Sequence, residues 1–167
     1  MQISDISIRT TLQPGDTGYI IHRHGKLYHQ EYGYGREFEA YVAEGLAEFL
    51  KGYKPSVERV WICEDRDTIV GFLMLLQRDE TTAQLRYFYL EPAYRGMGLG
   101  NKLMRLFMDF LVQRGYQHAY LWTTHEQEAA AALYRKHGFV LTEEKTSTAF
   151  GKALTEMRYD LIVVRGH

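Results

Sequence analysis

The sequence predicts a mixed α/β fold, with an antiparallel first half followed by a strand–helix–strand crossover. Three observations carry this. Three strand patterns fall between residues 59 and 90 with only short turns between them, as in an antiparallel meander. The glycine-rich run Gly96-Met97-Gly98-Leu99-Gly100 then leads into a strongly amphipathic helix. Strand patterns resume after that helix.

Ile3, Ile6 and Ile8, set among polar residues, predict a short first strand. Pro14-Gly15-Asp16 is a turn and helix-start signal. A helix is expected over about 17–28, broken near Gly25, with Tyr32-Gly33-Tyr34-Gly35 as a loop. Phe38, Tyr41, Val42, Leu46, Phe49 and Leu50 recur at helical spacing, and Gly52 supplies the stop. Residues 59–64 read as a strand. The run 69–76 is continuously apolar, the signature of a strand covered on both faces. In 83–90, Leu85, Tyr87 and Tyr89 alternate with Gln84 and Arg86.

In the helix after the glycines, Leu99, Leu103, Leu106, Phe107, Phe110 and Leu111 line one face. Lys102, Arg105, Asp109 and Gln113 line the other, and Gly115 ends the helix. Residues 119–123 read as a strand. Thr124 with Gln127 suggests a capping box for a helix over 127–136, which Gly138 ends. Two strands follow, over 139–145 and 155–163.

Composition excludes several classes. The 167 residues carry 20 Lys+Arg against 21 Asp+Glu, so no basic excess favours DNA binding. No apolar run approaches the roughly 18 residues that span a bilayer. The first residues lack the basic and apolar regions of a signal peptide, and Cys63 stands alone. A single cytoplasmic domain over 1–167, acting on neither nucleic acid nor membrane, is the expectation. Among 13 tyrosines, an unusual cluster lies between Tyr19 and Tyr41.

The segment Tyr94-Arg95-Gly96-Met97-Gly98-Leu99-Gly100-Asn101 follows a strand and opens a helix, which makes it an anion site. The first helical turn has unpaired N–H groups and a positive dipole end, and glycines let phosphate oxygens approach the backbone. The dinucleotide spacing fails because the third glycine comes one residue early. A Walker loop fails because no Gly precedes Lys102 and Leu103 stands where Ser or Thr is needed.

Arg95-Gly96-Met97-Gly98-Leu99-Gly100 instead resembles the acyl-CoA signature of the GNAT superfamily of N-acetyltransferases, Gln/Arg-x-x-Gly-x-Gly/Ala. Leu133-Tyr134 with Gly138-Phe139, and Val70-Gly71-Phe72, are similar to further segments of that family, in the same order. A narrower likeness links Arg23-His24-Gly25, Leu27-Tyr28, Glu31-Tyr32-Gly33 and Ala149-Phe150-Gly151 to the acetyltransferase half of bacterial MarR-type regulator–acetyltransferase fusions. The chain opens on the first acetyltransferase strand, so the fusions' regulatory role is not expected of it.

The resemblance implies a GNAT-like fold: a mostly antiparallel twisted sheet of about six or seven strands, splayed after the fourth and flanked by about four helices. It also implies acetyl-CoA as cofactor and direct attack by an amine in a ternary complex. Its pyrophosphate would sit on N–H groups of Arg95, Gly96, Met97, Gly98, Leu99 and Gly100, with Asn101 and Lys102 at the helix entry. Its pantetheine would lie along Phe88, Tyr89 and Leu90 like an added strand. Family members often carry Asn where this chain has Gln127, which offers similar hydrogen bonds. The Leu90 N–H would polarise the thioester, and Tyr134 would protonate the leaving thiolate. Glu91 is the first candidate base, with Glu64, His24 and His125 behind it.

His24, Tyr28, Tyr32 and His125 are expected to line the site of a small amine, amino-acid-like or polyamine-like. His22, His24 and His29 lack the i,i+4 spacing of a metal pair, so no metal is assigned. Trp61 and Trp122 are expected in the core. The resemblance also leaves room for a homodimer. Two other readings stay open: a non-catalytic acyl-CoA-binding sensor or partner module, and a protein lysine or N-terminal acetyltransferase.

Overall fold

The computed structural model describes residues 2–164. Its strands are β1 (Ser7–Arg9), β2 (Arg59–Asp65), β3 (Thr68–Gln77), β4 (Thr82–Leu90), β5 (His118–Thr124), β6 (Val140–Ser147) and β7 (Leu154–Ile162). Its helices are α1 (Asp16–Tyr32), α2 (Arg36–Gly52), α3 (Leu99–Gln113) and α4 (Glu128–Lys136). The strands form one sheet in the order β1-β2-β3-β4-β5-β7-β6. All neighbours are antiparallel except β4 and β5, which the α3 crossover makes parallel. No helix among the described residues is long and apolar enough to cross a membrane.

The sheet is covered on both faces. Ile20, Leu27, Phe38, Val42 and Leu46 of α1 and α2 pack against Phe72 and Met74 of β3. Leu99, Leu103, Phe107 and Leu111 of α3 pack on the opposite face against Leu73 and Leu75. This double cover is why β3 is apolar throughout. Each fully buried side chain of this size contributes about 1.5–3 kcal/mol.

Strand β4 holds the main irregularity. Between Phe72 and Met74 of β3 the opposite strand advances from Tyr89 to Arg86, so β4 carries an extra residue. Tyr87 sits there with a left-handed φ of 59°. The bulge reverses the facing of the strand: Ala83 and Leu85 join the α3 side, whereas Tyr87 and Tyr89 join the α1–α2 side. The simple alternation read from the sequence is therefore wrong beyond Leu85. Beyond the register pairs Thr82 with His118, Ala83 with Ala119 and Gln84 with Tyr120, β4 and β5 separate. The sheet is thus splayed after its fourth strand, as the family resemblance implied.

Other expectations need correction. Ile3 lies in a short 3-10 turn, and only Ser7–Arg9 forms the first strand. Helix α1 is unbroken at Gly25 and runs on through Tyr32, ending at Gly33 with φ 74°. Gly25 faces Glu39 of α2, and tertiary packing overrides its weak helix propensity. The capping box is absent: Gln127 is the N-cap without a side-chain cap bond, and Thr124 Oγ1 instead pairs with the Tyr34 hydroxyl at 2.6 Å.

Two glycines separate packing from propensity. A Cβ at Gly45 of α2 would lie 1.7 Å from the buried Tyr87 hydroxyl, the end of a rigid ring. A Cβ at Gly25 would meet only the end of the flexible Glu39 side chain, at 2.2 Å. Gly45→Ala should therefore lose about 1–3 kcal/mol despite better helix propensity, and Gly25→Ala should gain up to about 1 kcal/mol. Denaturant unfolding of both variants checks this; equal shifts would contradict the packing account.

Candidate active site

The splay turns the free side of β4 into a cleft wall. Glu91 donates its N–H to the Val70 carbonyl at 2.9 Å. Antiparallel alternation then directs the main-chain groups of Leu90, one residue earlier, away from β3 and into the gap. The Leu90 carbonyl accepts from Arg95 Nε at 3.1 Å, and the Phe88 carbonyl accepts from the Tyr28 hydroxyl at 3.1 Å. The Leu90 N–H is left facing the cleft beside them.

One end of the cleft is a groove of about 940 Å³ including its open mouth, walled by the glycine loop, Leu90, Tyr32 and the α4 residues Ala130 and Leu133. Gly96 and Gly98 take φ values of 76° and 90°, open to glycine at little cost. Their N–H groups and that of Met97 have no protein acceptor among the described residues. The first N–H groups of α3 add to this cradle. At Gly100 a Cβ would lie 3.1 Å from Leu133, so a side chain there would crowd the groove wall. Asn101 lines the groove, and its Oδ1 meets His137 Nε2 at 3.2 Å.

The other end is a cavity of about 670 Å³ counting its open mouth. Tyr28, Phe88 and Gln127 line both spaces, so the groove and the cavity meet at these residues. Tyr134 lines the cavity. Burial pushes its hydroxyl well above the usual tyrosine range, so it stays protonated, and it has no hydrogen-bond partner among the described residues. Ring contacts from Tyr28 to Phe38 (4.8 Å) and from Phe38 to Phe150 (4.9 Å) build the aromatic side of the cavity.

His24 is buried in this wall, with Nδ1 2.9 Å from the Ile20 carbonyl. That bond requires the proton on Nδ1, which leaves the lone pair on Nε2. Nε2 is buried and unpartnered. Desolvation lowers the His24 pKa to about 4, so the ring is a neutral acceptor near pH 7.

The structure relocates several expected residues. Glu91 lines neither space; Arg23 grips its carboxylate at 2.6 and 2.8 Å, which removes it as a free base. Glu64 is likewise paired, with Arg9 at 2.8 Å. His125 is exposed just past the end of β5, beside the β6–β7 turn, where it accepts the Thr155 N–H, and it does not line the cavity. Tyr32 lines the groove rather than the cavity, because the unbroken α1 carries it to the glycine loop.

Lys102, Met97 and Leu99 do not line the groove: Leu99 is core and Met97 packs on it. Arg95 does line it, but its guanidinium holds Glu31 at 2.6 and 3.0 Å. Trp61 is core as expected, whereas Trp122 lines the cavity. The sequence reading missed Arg86, Glu156 and Thr124 in the cavity and Glu31 at the groove. Only Arg86 carried a signal, as a cation among the aromatic residues of β4.

The splayed sheet recurs among solved acetyltransferases. A spermidine N-acetyltransferase of Vibrio cholerae, solved with CoA and spermine, matches with a TM-score of 0.72 over 96% of each chain, at 20% identity. At that identity the likeness concerns the fold alone.

The family model for Acetyltransferase (GNAT) family matches residues 23–139, and the chain belongs to that family. An uncharacterized N-acetyltransferase of Escherichia coli is 31% identical, over 65% of this chain and 68% of its own length. A mycothiol acetyltransferase of Corynebacterium efficiens is 33% identical over 47% of this chain, and N-acetyltransferase 8F1 of Rattus norvegicus is 29% identical over 70%. The matches span 27% and 57% of those two relatives' lengths.

The depressed His24 pKa has a stability consequence. The unfolded chain binds this proton near pH 6.5 and the folded chain only near 4, so the unfolded state binds more protons between the two. Stability should therefore fall by about 3 kcal/mol as pH drops through that window. His24→Gln should flatten this component in pH-dependent urea unfolding; an unchanged slope would assign it to other groups.

Proposed function

We propose that the protein transfers the acetyl group of acetyl-CoA to the amine of a small molecule, with both substrates bound at once. The supporting observation is the meeting of the glycine-loop groove and the acceptor cavity at Tyr28, Phe88 and Gln127, beside the Leu90 N–H. The cradle fits the cofactor: free N–H groups at Gly96, Met97 and Gly98 and at the α3 terminus suit a pyrophosphate. Bound acetyl-CoA supplies the acetyl group as a thioester.

The chain's own residues divide the remaining work. The Leu90 N–H is placed to stabilise negative charge developing on the thioester oxygen. Gln127 serves both compartments as a hydrogen-bonding wall. His24 Nε2 accepts a hydrogen bond from the acceptor amine and orients its lone pair. The amine nitrogen bonds to the carbonyl carbon as the carbon–sulfur bond breaks. The departing sulfur takes the Tyr134 proton. The acceptor ammonium first gives a proton to the Glu156 carboxylate, which also lines the cavity; the second proton leaves the nitrogen for solvent after attack, and solvent restores Tyr134.

Tyr134→Phe keeps the packing and removes the donor. It should lower kcat by about 100-fold while acetyl-CoA affinity changes little. Thiol release with an amine panel, alongside calorimetric acetyl-CoA binding, measures both. Full turnover in the variant would reduce Tyr134 to a packing residue.

A further inference from the structure

The cavity is lined by two charged side chains, Arg86 and Glu156, that no ion pair or side-chain hydrogen bond holds among the described residues, although Lys145 faces Glu156 across β6 and β7. Arg86 enters from β4, immediately before the bulge. Its guanidinium carbon lies 4.5 Å from the Tyr87 ring centroid and 5.1 Å from that of Tyr41. Among the described residues, Arg86 alone of the partly buried arginines has neither a hydrogen bond nor an ion pair. Arg9, Arg23 and Arg158 hold carboxylates, and Arg59 reaches the Pro55 carbonyl. Glu156 enters the cavity from β7, also without a hydrogen bond or ion pair among the described residues. No ion pair joins Arg86 to Glu156, nor to Glu48, which flanks it on α2.

A guanidinium stacked on aromatic rings keeps its N–H edge available, and that planar fork matches a carboxylate. A second cation at that place would meet like charge in a desolvated wall. The two unpaired groups, of opposite sign and apart from each other, thus complement a ligand bearing both charges. A polyamine offers only one sign.

We propose that the acceptor is an amino acid, its carboxylate held by Arg86 and its amine on the Glu156 side of the cavity. This rests on the acetyl-transfer reading above and narrows it to one substrate class. Nitrogen acylation leaves the carboxylate unchanged, so the product is an N-acetylated amino acid and free CoA thiol.

The test compares three probe sets on the full-length protein with acetyl-CoA: free amino acids, their carboxamides, and spermidine. Free amino acids should exceed both others in kcat/KM by at least about 10-fold, the scale of a charge-assisted hydrogen bond. Arg86→Gln should raise KM for the free acids by roughly 10–100-fold and close the gap to the carboxamides. Arg86→Lys should recover part of the loss. Acetyl-CoA binding by each variant reports its folding; if a variant fails there, the carboxamide comparison on the unaltered protein decides.

Carboxamides or spermidine used as well as the free acids would overturn the proposal and leave acetyl transfer standing. An Arg86→Gln variant that binds acetyl-CoA and keeps the full preference would also overturn it. Acetyl-CoA binding with no amine of any set acetylated would remove the transfer reading itself, and this proposal with it.

Discussion

The left-handed backbone at Tyr87 is the constraint on which the cleft depends. A non-glycine residue there costs about 1–2 kcal/mol. Burial of the tyrosine ring beneath Arg86, with space made by Gly45, offsets that cost. One extra residue then has three effects. It reverses the facing of β4, it accompanies the parting of β4 from β5, and it precedes the strand end whose Leu90 N–H faces the gap. Arg86 stands on one side of the bulge, and the main chain that borders the groove on the other. Under the proposed function, acceptor recognition and thioester polarisation would both fall to this one strand, joined through its least regular point.

Much of this was legible locally. Helical spacing of apolar residues placed α2 and α3, the uninterrupted apolar run placed the doubly covered β3, and the glycine spacing marked the anion cradle. Those features are written in neighbouring residues. The bulge was not, because Leu85, Tyr87 and Tyr89 read as an unbroken alternation; only the pairing with β3 shows that Tyr87 and Tyr89 face the other way. Gly25 looked like a break because propensity ignores what α1 packs against. Glu91 and His125 looked like free polar groups near the site, yet Arg23 and the Thr155 N–H claim them. Whether a charge is already partnered is a tertiary property, and for Arg86 that property is the informative one.

Two ion pairs tie α1 to the strand end and glycine loop: Arg23 with Glu91, and Glu31 with Arg95. The second is the more open, with the Arg95 side chain 43% exposed. An exposed pair of this kind is worth only about 0.2–1 kcal/mol. Arg95 is therefore held in place at the groove mouth without being committed to Glu31, and a phosphate can compete for the same fork.

The sheet has a second kind of opening at its rim. Strand β6 is exposed along most of its length and carries Glu143, Glu144 and Lys145 in succession. A foreign strand docking along that rim would have to desolvate those charges, which guards the rim against edge-to-edge aggregation. Inside the cleft, the unpaired stretch of β4 is an equally templating edge, but tyrosine and arginine side chains cap its carbonyls. The molecule thus resists indiscriminate strand pairing where it meets other chains, and reserves backbone valence for a ligand narrow enough to enter the gap.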